Sequence, residues 1–268
     1  MSADQSPASR VFRVGDVLGR AWRLFIGHLV FFLGTAVFVY AAMIAAVEII
    51  TLPAETFGRA RLAIRTMIVA ATLLVLPLNV IGQGVLLLGA FQLLCGEPLR
   101  VGKILWRLLE RVLPLLVIVI LWGLGLAVCL TLSLVALMVG GGTFAYLLPL
   151  VLSLVPTAIL LVMWAVAVPP CVVEGLGPFA CIRRSNALSK GCRWEILGIM
   201  LPLTLLGLAG NLVKLAVAPV NPLLADVAEA AWLVVLIAYW NCTVVVTYHS
   251  LRLAKDVVHS GQVASIFD

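Results

Sequence analysis

Six long apolar stretches occupy most of the chain and limit the folds open to it more than any other feature. They lie at residues 29–50, 67–96, 112–139, 144–171, 196–217 and 227–248. A helix that rises about 1.5 Å per residue needs roughly 20 residues to cross about 30 Å of hydrocarbon, and every stretch reaches that length. The sequence therefore predicts an all-α polytopic membrane bundle with about six transmembrane helices.

Composition favours one integral membrane domain over residues 1–268. Hydrophobic residues make up 63% of the chain and charged residues 11%, whereas soluble domains carry about 25% charged residues. The apolar stretches are continuous rather than alternating, so they predict helices and exclude a barrel. We expect a cytoplasmic tail at 249–268 after the last span.

The basic residues are distributed unequally between the two predicted sides of the membrane. Fourteen lysines and arginines lie in segments on the side of the N-terminus, and four lie on the other side. This bias predicts a multi-pass protein of a bacterial-type inner membrane with both termini in the cytoplasm. The expected partners of these charges are anionic lipid headgroups, and no nucleic acid is expected.

A short motif recurs 87 positions apart, at residues 12–20 and 99–107. In both copies polar residues follow a 3-4-3 spacing that places them on one helical stripe. They are Arg13, Asp16, Arg20 and Arg23 in one copy, and Arg100, Lys103, Arg107 and Glu110 in the other. The spacing predicts amphipathic interfacial helices at about 11–28 and 98–111. A weaker match predicts a third at 177–190, which would make a three-fold repeat; chance similarity between basic helices is the alternative.

Few polar side chains interrupt the predicted spans. Asn79 and Gln83 lie four residues apart near the middle of the second span, and Asn241 and Thr243 lie on the last. These four residues form an intramembrane polar cluster that either lines a transport path or sets helix packing. Near the far side, Lys214 is expected to pair with Asp226 or Glu229.

Motifs for catalysis and metal binding are not found in the sequence. The three histidines form no HExxH pattern, and no GxSxG or P-loop motif occurs. The six cysteines show no CxxC spacing, and we expect them to be reduced. The sequence therefore predicts no catalytic residue, cofactor or metal, although an intramembrane active site assembled from distant segments is an alternative.

Three segments resemble a known family, the membrane domain associated with glycerophosphoryl diester phosphodiesterases and related six-span bacterial proteins. In the linker the resemblance lies at Pro170, Glu174, Gly177-Pro178, Arg184-Ser185, Leu188 and Lys190-Gly191. It also covers the N-terminal motif at 12–18 and the tail at 248–256, with Val263 and Phe267-Asp268. The resemblance implies membership over the full length.

The family takes its name from proteins that fuse this bundle to a phosphodiesterase barrel of about 250 residues. This sequence carries no such barrel, so the resemblance implies no enzymatic activity here. Within the linker, Glu174 and Arg184 are predicted to form a structural clamp between the fourth span and the next helix. The alternative is a headgroup-binding site built from Arg183, Arg184, Ser185 and Lys190, because guanidinium groups and hydroxyls suit phosphate oxygens.

Two functions are compatible with these features. The first is a non-enzymatic membrane module that engages anionic lipid or a partner membrane protein, or forms a homo-oligomer, through its basic cytoplasmic rim. The second is a small transporter or channel for a lipid-like or small polar solute, in which Asn79, Gln83 and Asn241 would face the path.

Overall fold

A computed structural model describes residues 13–51, 61–139 and 166–267 of the chain. Over these ranges the chain is helical and contains no strand. The all-α prediction is confirmed for this part of the molecule. Most of the predicted fourth span, residues 144–165, lies outside it.

Eight α-helices and one π-helical turn follow one another in the described ranges. They are α1 (Val14–Gly27), α2 (Leu29–Thr51), α3 (Arg61–Leu94), α4 (Val101–Leu109), α5 (Val112–Val139), the π-helical turn (Pro170–Glu174), α6 (Pro178–Ser189), α7 (Arg193–Val217) and α8 (Pro222–Phe267).

Three short helices coincide with the predicted interfacial segments to within three residues. They are α1, α4 and α6, predicted at 11–28, 98–111 and 177–190. The last helix, α8, continues beyond the predicted span through the segment predicted as the tail, as far as Phe267. The stretch from 249 to 260 contains no glycine or proline, so nothing in its sequence ends the helix there.

Several of the helices are long and apolar enough to cross a membrane. Three such segments are Pro77–Leu94, Arg193–Val217 and Pro222–Lys255, and a fourth results if α1 and Leu29–Ala41, bent by 91°, count as one span. Large apolar side chains of α7 are exposed, among them Leu205, Leu208, Leu212 and Leu215. Such an exposed apolar face suits lipid and not water, so the helices fit a membrane-embedded protein.

The chain divides into two compact units, whose boundaries fall inside several helices. The first unit comprises Met1–Arg20, Leu113–Thr204 and Thr243–Asp268, and the second comprises Ala21–Val112 and Leu205–Cys242. In the second unit α3 packs against both α2 and α4.

Glycines of α3 allow this close packing. A Cβ atom added to Gly82 would lie 2.5 Å from Val39 Cγ2 on α2, and one added to Gly84 would lie 2.5 Å from Leu108 Cδ2 on α4. Small residues permit such approach of helices in membranes. The close contacts of α2 and α4 with α3 therefore depend on glycine at positions 82 and 84.

A tight corner joins α3 to α4. Gly96 has a φ of +74°, its N–H donates to Leu93 O, and the N–H of Glu97 donates to Gln92 O. This pair of bonds is the Schellman arrangement, which satisfies the last carbonyls of a helix and favours glycine at the left-handed position. Pro98 follows at once, so the chain leaves α3 sharply before α4 begins.

Candidate functional site

The π-helical turn and α6 position the linker residues that the sequence singles out. Gly175, with a φ of +77°, ends the π-helical turn immediately after Glu174. Pro178 occupies the first turn of α6, where its missing N–H costs nothing. A buried face with Cys181, Ser185 and Leu188 anchors α6 in the first unit. Glu174 is thereby held beside the start of α6.

Glu174 contacts two other segments of the first unit through its two carboxylate oxygens. Tyr248 of α8 is fully buried and its hydroxyl donates to Glu174 Oε1 at 2.5 Å. Arg184 of α6 places Nε 3.4 Å from Glu174 Oε2. The carboxylate thus joins the π-helical turn to α6 and α8.

The contact between Arg184 and Glu174 is an ion pair without hydrogen-bond geometry. Nε of Arg184 is buried and has no hydrogen-bond partner among the described residues. The side chain as a whole is 38% exposed, against 19% for Glu174. The pair is therefore a partly solvated electrostatic contact.

The four residues of the alternative headgroup site do not share one face of α6. Arg183 and Lys190 are exposed, whereas Ser185 is fully buried on the packed face. The Lys190 carbonyl accepts a hydrogen bond from Lys255 Nζ at 2.9 Å. Because Arg184 lies beside Glu174, the exposed basic groups of this segment are Arg183 and Lys190.

Part of the predicted intramembrane polar cluster is brought together in the second unit. The Asn241 amide donates to Gln83 Oε1 at 2.9 Å and to Ile237 O at 2.8 Å. Asn79 donates instead to Val39 O at 3.4 Å. Thr243 is buried within the first unit, where its carbonyl accepts from the Thr247 hydroxyl. The amide groups are thus used in bonds between and within helices.

The predicted ion pair between α7 and α8 is confirmed, and it involves both acidic residues. Lys214 Nζ lies 2.6 Å from Glu229 Oε2 and 3.0 Å from Asp226 Oδ1. This lysine was expected near the far side, and two carboxylates flank its single positive charge.

A cleft of about 300 Å³ lies at the corner between α3 and α4. It is lined by Gln92, Glu97, Pro98, Arg100, Lys103 and Arg107. The three basic residues were placed on one stripe by their spacing, but the cleft itself was not predicted. Its shape depends on the turn at Gly96, and the sequence indicates that turn only through a glycine followed by a proline two residues later.

The basic residues of this cleft are available to a ligand. Arg100, Lys103 and Arg107 are exposed, and none of the ion pairs in the described part of the chain involves them. Gln92 Oε1 accepts the backbone N–H of Arg100 at 3.4 Å, which leaves the Gln92 NH₂ group as a further donor. The cleft is therefore rich in donors and in positive charge.

The described residues contain no candidate metal site, and most of their cysteines are buried. No group of three or more His, Cys, Asp or Glu side chains there could hold a metal ion. Cys171, Cys181, Cys192 and Cys242 are buried, whereas Cys95 is exposed. Burial raises the pKa of the Cys192 thiol, Glu195 raises it further, and Lys255 opposes the rise.

Comparison with known proteins adds no relative. No protein family, curated protein or solved structure matches this chain.

Proposed function

We propose that this chain is a non-enzymatic integral membrane module that engages anionic lipid through a basic rim on the cytoplasmic side. The rim consists of the exposed basic residues of the three short helices. They are Arg13, Arg20 and Arg23 of the α1 region, Arg100, Lys103 and Arg107 of the α4 region, and Arg183 and Lys190 of the α6 region. A partner membrane protein or a second copy of the chain is a further candidate for the same surface.

The arrangement of side chains around α4 is the observation that carries this proposal. Ile104 and Leu108 are buried, and Leu108 packs against Gly84 of α3. Leu105, Trp106 and Leu109 are exposed, Trp106 by 68%. The basic residues occupy the remaining face. A helix with one packed, one apolar and one basic face, and with a tryptophan among the apolar residues, suits the boundary between headgroups and acyl chains.

The two copies of the repeated motif also bury equivalent positions. Val17 and Ala21 of α1 are buried, as are Ile104 and Leu108, which lie 87 positions later. Gly15 and Gly102, the same distance apart, both face open space. These correspondences support a repeated unit in the first two copies, and the third unit, the six spans and the bacterial-type inner membrane stay predictions. Membership of the phosphodiesterase-associated membrane family stays a prediction.

A transport path through the polar cluster is the alternative from a different functional class. The Asn241 amide donates to both Gln83 and Ile237, and buried polar groups used in this way fix helix packing. The anionic-lipid module therefore has the stronger support.

Lipid retention tests the proposed function. We expect the purified full chain, equilibrated in detergent with equal amounts of phosphatidylglycerol and phosphatidylcholine, to retain the anionic lipid preferentially in native mass spectrometry. Equal retention of the two lipids would contradict the proposal, and a co-purifying membrane protein would favour the partner in place of lipid.

A further inference from the structure

We propose that the cleft between α3 and α4 binds the doubly charged phosphate group of a phosphomonoester. This inference rests on the proposed function and deepens it, because it assigns one specific site to the rim. The same chemistry is offered by the headgroup of phosphatidic acid and by free phosphate, so both sources have to be tested.

Three cations converge on the cleft from one helix and its preceding residue. Arg100, Lys103 and Arg107 are spaced by three and four residues, which places them on one side of α4. Two of them are arginines, whose planar guanidinium groups can donate two parallel hydrogen bonds to a phosphate. The third is a lysine, which supplies a compact point charge.

The first turn of α4 lies beside the cleft, because Arg100 and Lys103 both line it. The helix has nine residues, and no described side chain caps its N-terminus. Its first internal bond is donated by Ile104 to Arg100 O, so the N–H groups of 101–103 precede the bonded part of the helix. Such groups, together with the positive end of the helix dipole, favour an anion.

The charge of the lining favours a dianion. Arg100, Lys103 and Arg107 face a single carboxylate, Glu97, which leaves a net charge of +2. A phosphomonoester carries about −1.5 to −2 at neutral pH, so it matches this charge better than the single charge of a phosphodiester. The cleft volume of about 300 Å³ lies at the small end of ligand sites and suits a headgroup without its acyl chains.

Two triple variants with the same charge change separate this cleft from the rest of the rim. The cleft variant carries Arg100→Gln, Lys103→Gln and Arg107→Gln. The control variant carries Arg13→Gln, Arg183→Gln and Lys190→Gln, which also removes two arginines and one lysine at exposed positions. The measurement is the binding of fluorescent phosphatidic acid to the full chain in detergent at about 0.15 M salt, where charges more than about 8 Å apart are largely screened.

We expect the cleft variant to bind phosphatidic acid at least about tenfold more weakly than the unmodified chain, since one charge-assisted hydrogen bond accounts for that much. The control variant should also weaken binding, by about fivefold at most, because its charges belong to the rim but do not line the cleft. Glu97→Gln should strengthen binding by about twofold to fivefold, the order expected from one exposed charge pair. A gain of affinity cannot arise from misfolding.

Inorganic phosphate distinguishes the two sources of the ligand. Displacement of the fluorescent lipid by inorganic phosphate would show that the cleft accepts the free ion, and no displacement would assign it to a lipid headgroup. Either result supports phosphate binding in the cleft, provided that the cleft variant binds phosphatidic acid more weakly and Glu97→Gln binds it more tightly.

The cleft would be ruled out as the binding site if both triple variants lost affinity for phosphatidic acid equally, or if the cleft variant lost none. General binding of anionic lipid by the rim would remain possible. If the unmodified chain retained no anionic lipid at all, the proposed function itself would fail. The two failures are therefore distinguishable.

Discussion

A single carboxylate, Glu174, connects the π-helical turn with two helices of the first unit. Tyr248 donates to one oxygen from a buried position, and Arg184 approaches the other with a side chain that is 38% exposed. A partly exposed ion pair is screened by water and contributes about 1 kcal/mol or less. A hydrogen bond to a charged group contributes about 1.5–3 kcal/mol. The tyrosine therefore stabilises the cluster more than the arginine that the sequence pointed to.

Tyr248→Phe tests whether the tyrosine stabilises this cluster more than Arg184 does. We expect it to lower the free energy of unfolding by about 1.5–3 kcal/mol, and Arg184→Gln to lower it by about 1 kcal/mol or less. Thermal denaturation in detergent measures both changes. Tyr40→Phe is the matched control, because the Tyr40 side chain is also buried but its hydroxyl makes no hydrogen bond to the described residues. Equal losses in all three variants would contradict this account of Glu174.

Among the helices, the contact of α3 with α4 sets the position of the basic cleft. The Gly96 corner ends α3, and Gly84 admits Leu108 of α4 to the surface of α3. Any side chain at residue 84 must displace Leu108 or move α4. The shape of the cleft therefore depends on Gly84 and Gly96, although neither residue contributes to its charge.

Gly84→Val tests the close packing of the two helices. The added side chain would overlap Leu108, where a Cβ alone would approach to 2.5 Å, so we expect a loss of about 1–3 kcal/mol from overpacking. Gly102→Val is the matched control, because the same change on α4 faces open space. Thermal denaturation of the two variants measures the difference, and a loss no greater for Gly84→Val than for Gly102→Val would refute it.

The 3-4-3 spacing of polar residues was sufficient to place α1 and α4, because alternation between buried and polar positions, such as Ile104 and Leu108 beside Arg107, is local. The α3–α4 cleft and the bond between Tyr248 and Glu174 were not predictable in this way. They join residues that are distant in sequence or oriented by a turn. The length of α8 was not predicted either, since its polar end lacks the apolar pattern that indicated the preceding span.

For the molecule as a whole, the distribution of basic residues predicts its orientation in the membrane. Cys95 lies at the corner between α3 and α4 and is exposed, whereas the other described cysteines are buried. It is therefore a natural reporter for the side on which the basic rim lies.

Labelling with a membrane-impermeant maleimide reports the accessibility of Cys95. The experiment uses a Cys129→Ser background, so that Cys129 cannot contribute to the signal. We expect Cys95 to be labelled in inverted vesicles and to remain unlabelled in right-side-out vesicles. Cys192 should stay unlabelled in both, because it is buried and its raised thiol pKa lowers the thiolate fraction. Cys95→Ser is the control that should abolish labelling. Labelling from the outer side alone would reverse the predicted orientation.

Lipid selectivity in a reconstituted bilayer tests whether the basic rim attracts anionic lipid. Electron spin resonance of spin-labelled phosphatidylglycerol and phosphatidylcholine gives the relative association of each lipid with the protein. We expect a preference for phosphatidylglycerol that weakens as salt shortens the Debye length from about 30 Å at 0.01 M to about 8 Å at 0.15 M. Equal association of the two lipids at both salt concentrations would contradict it.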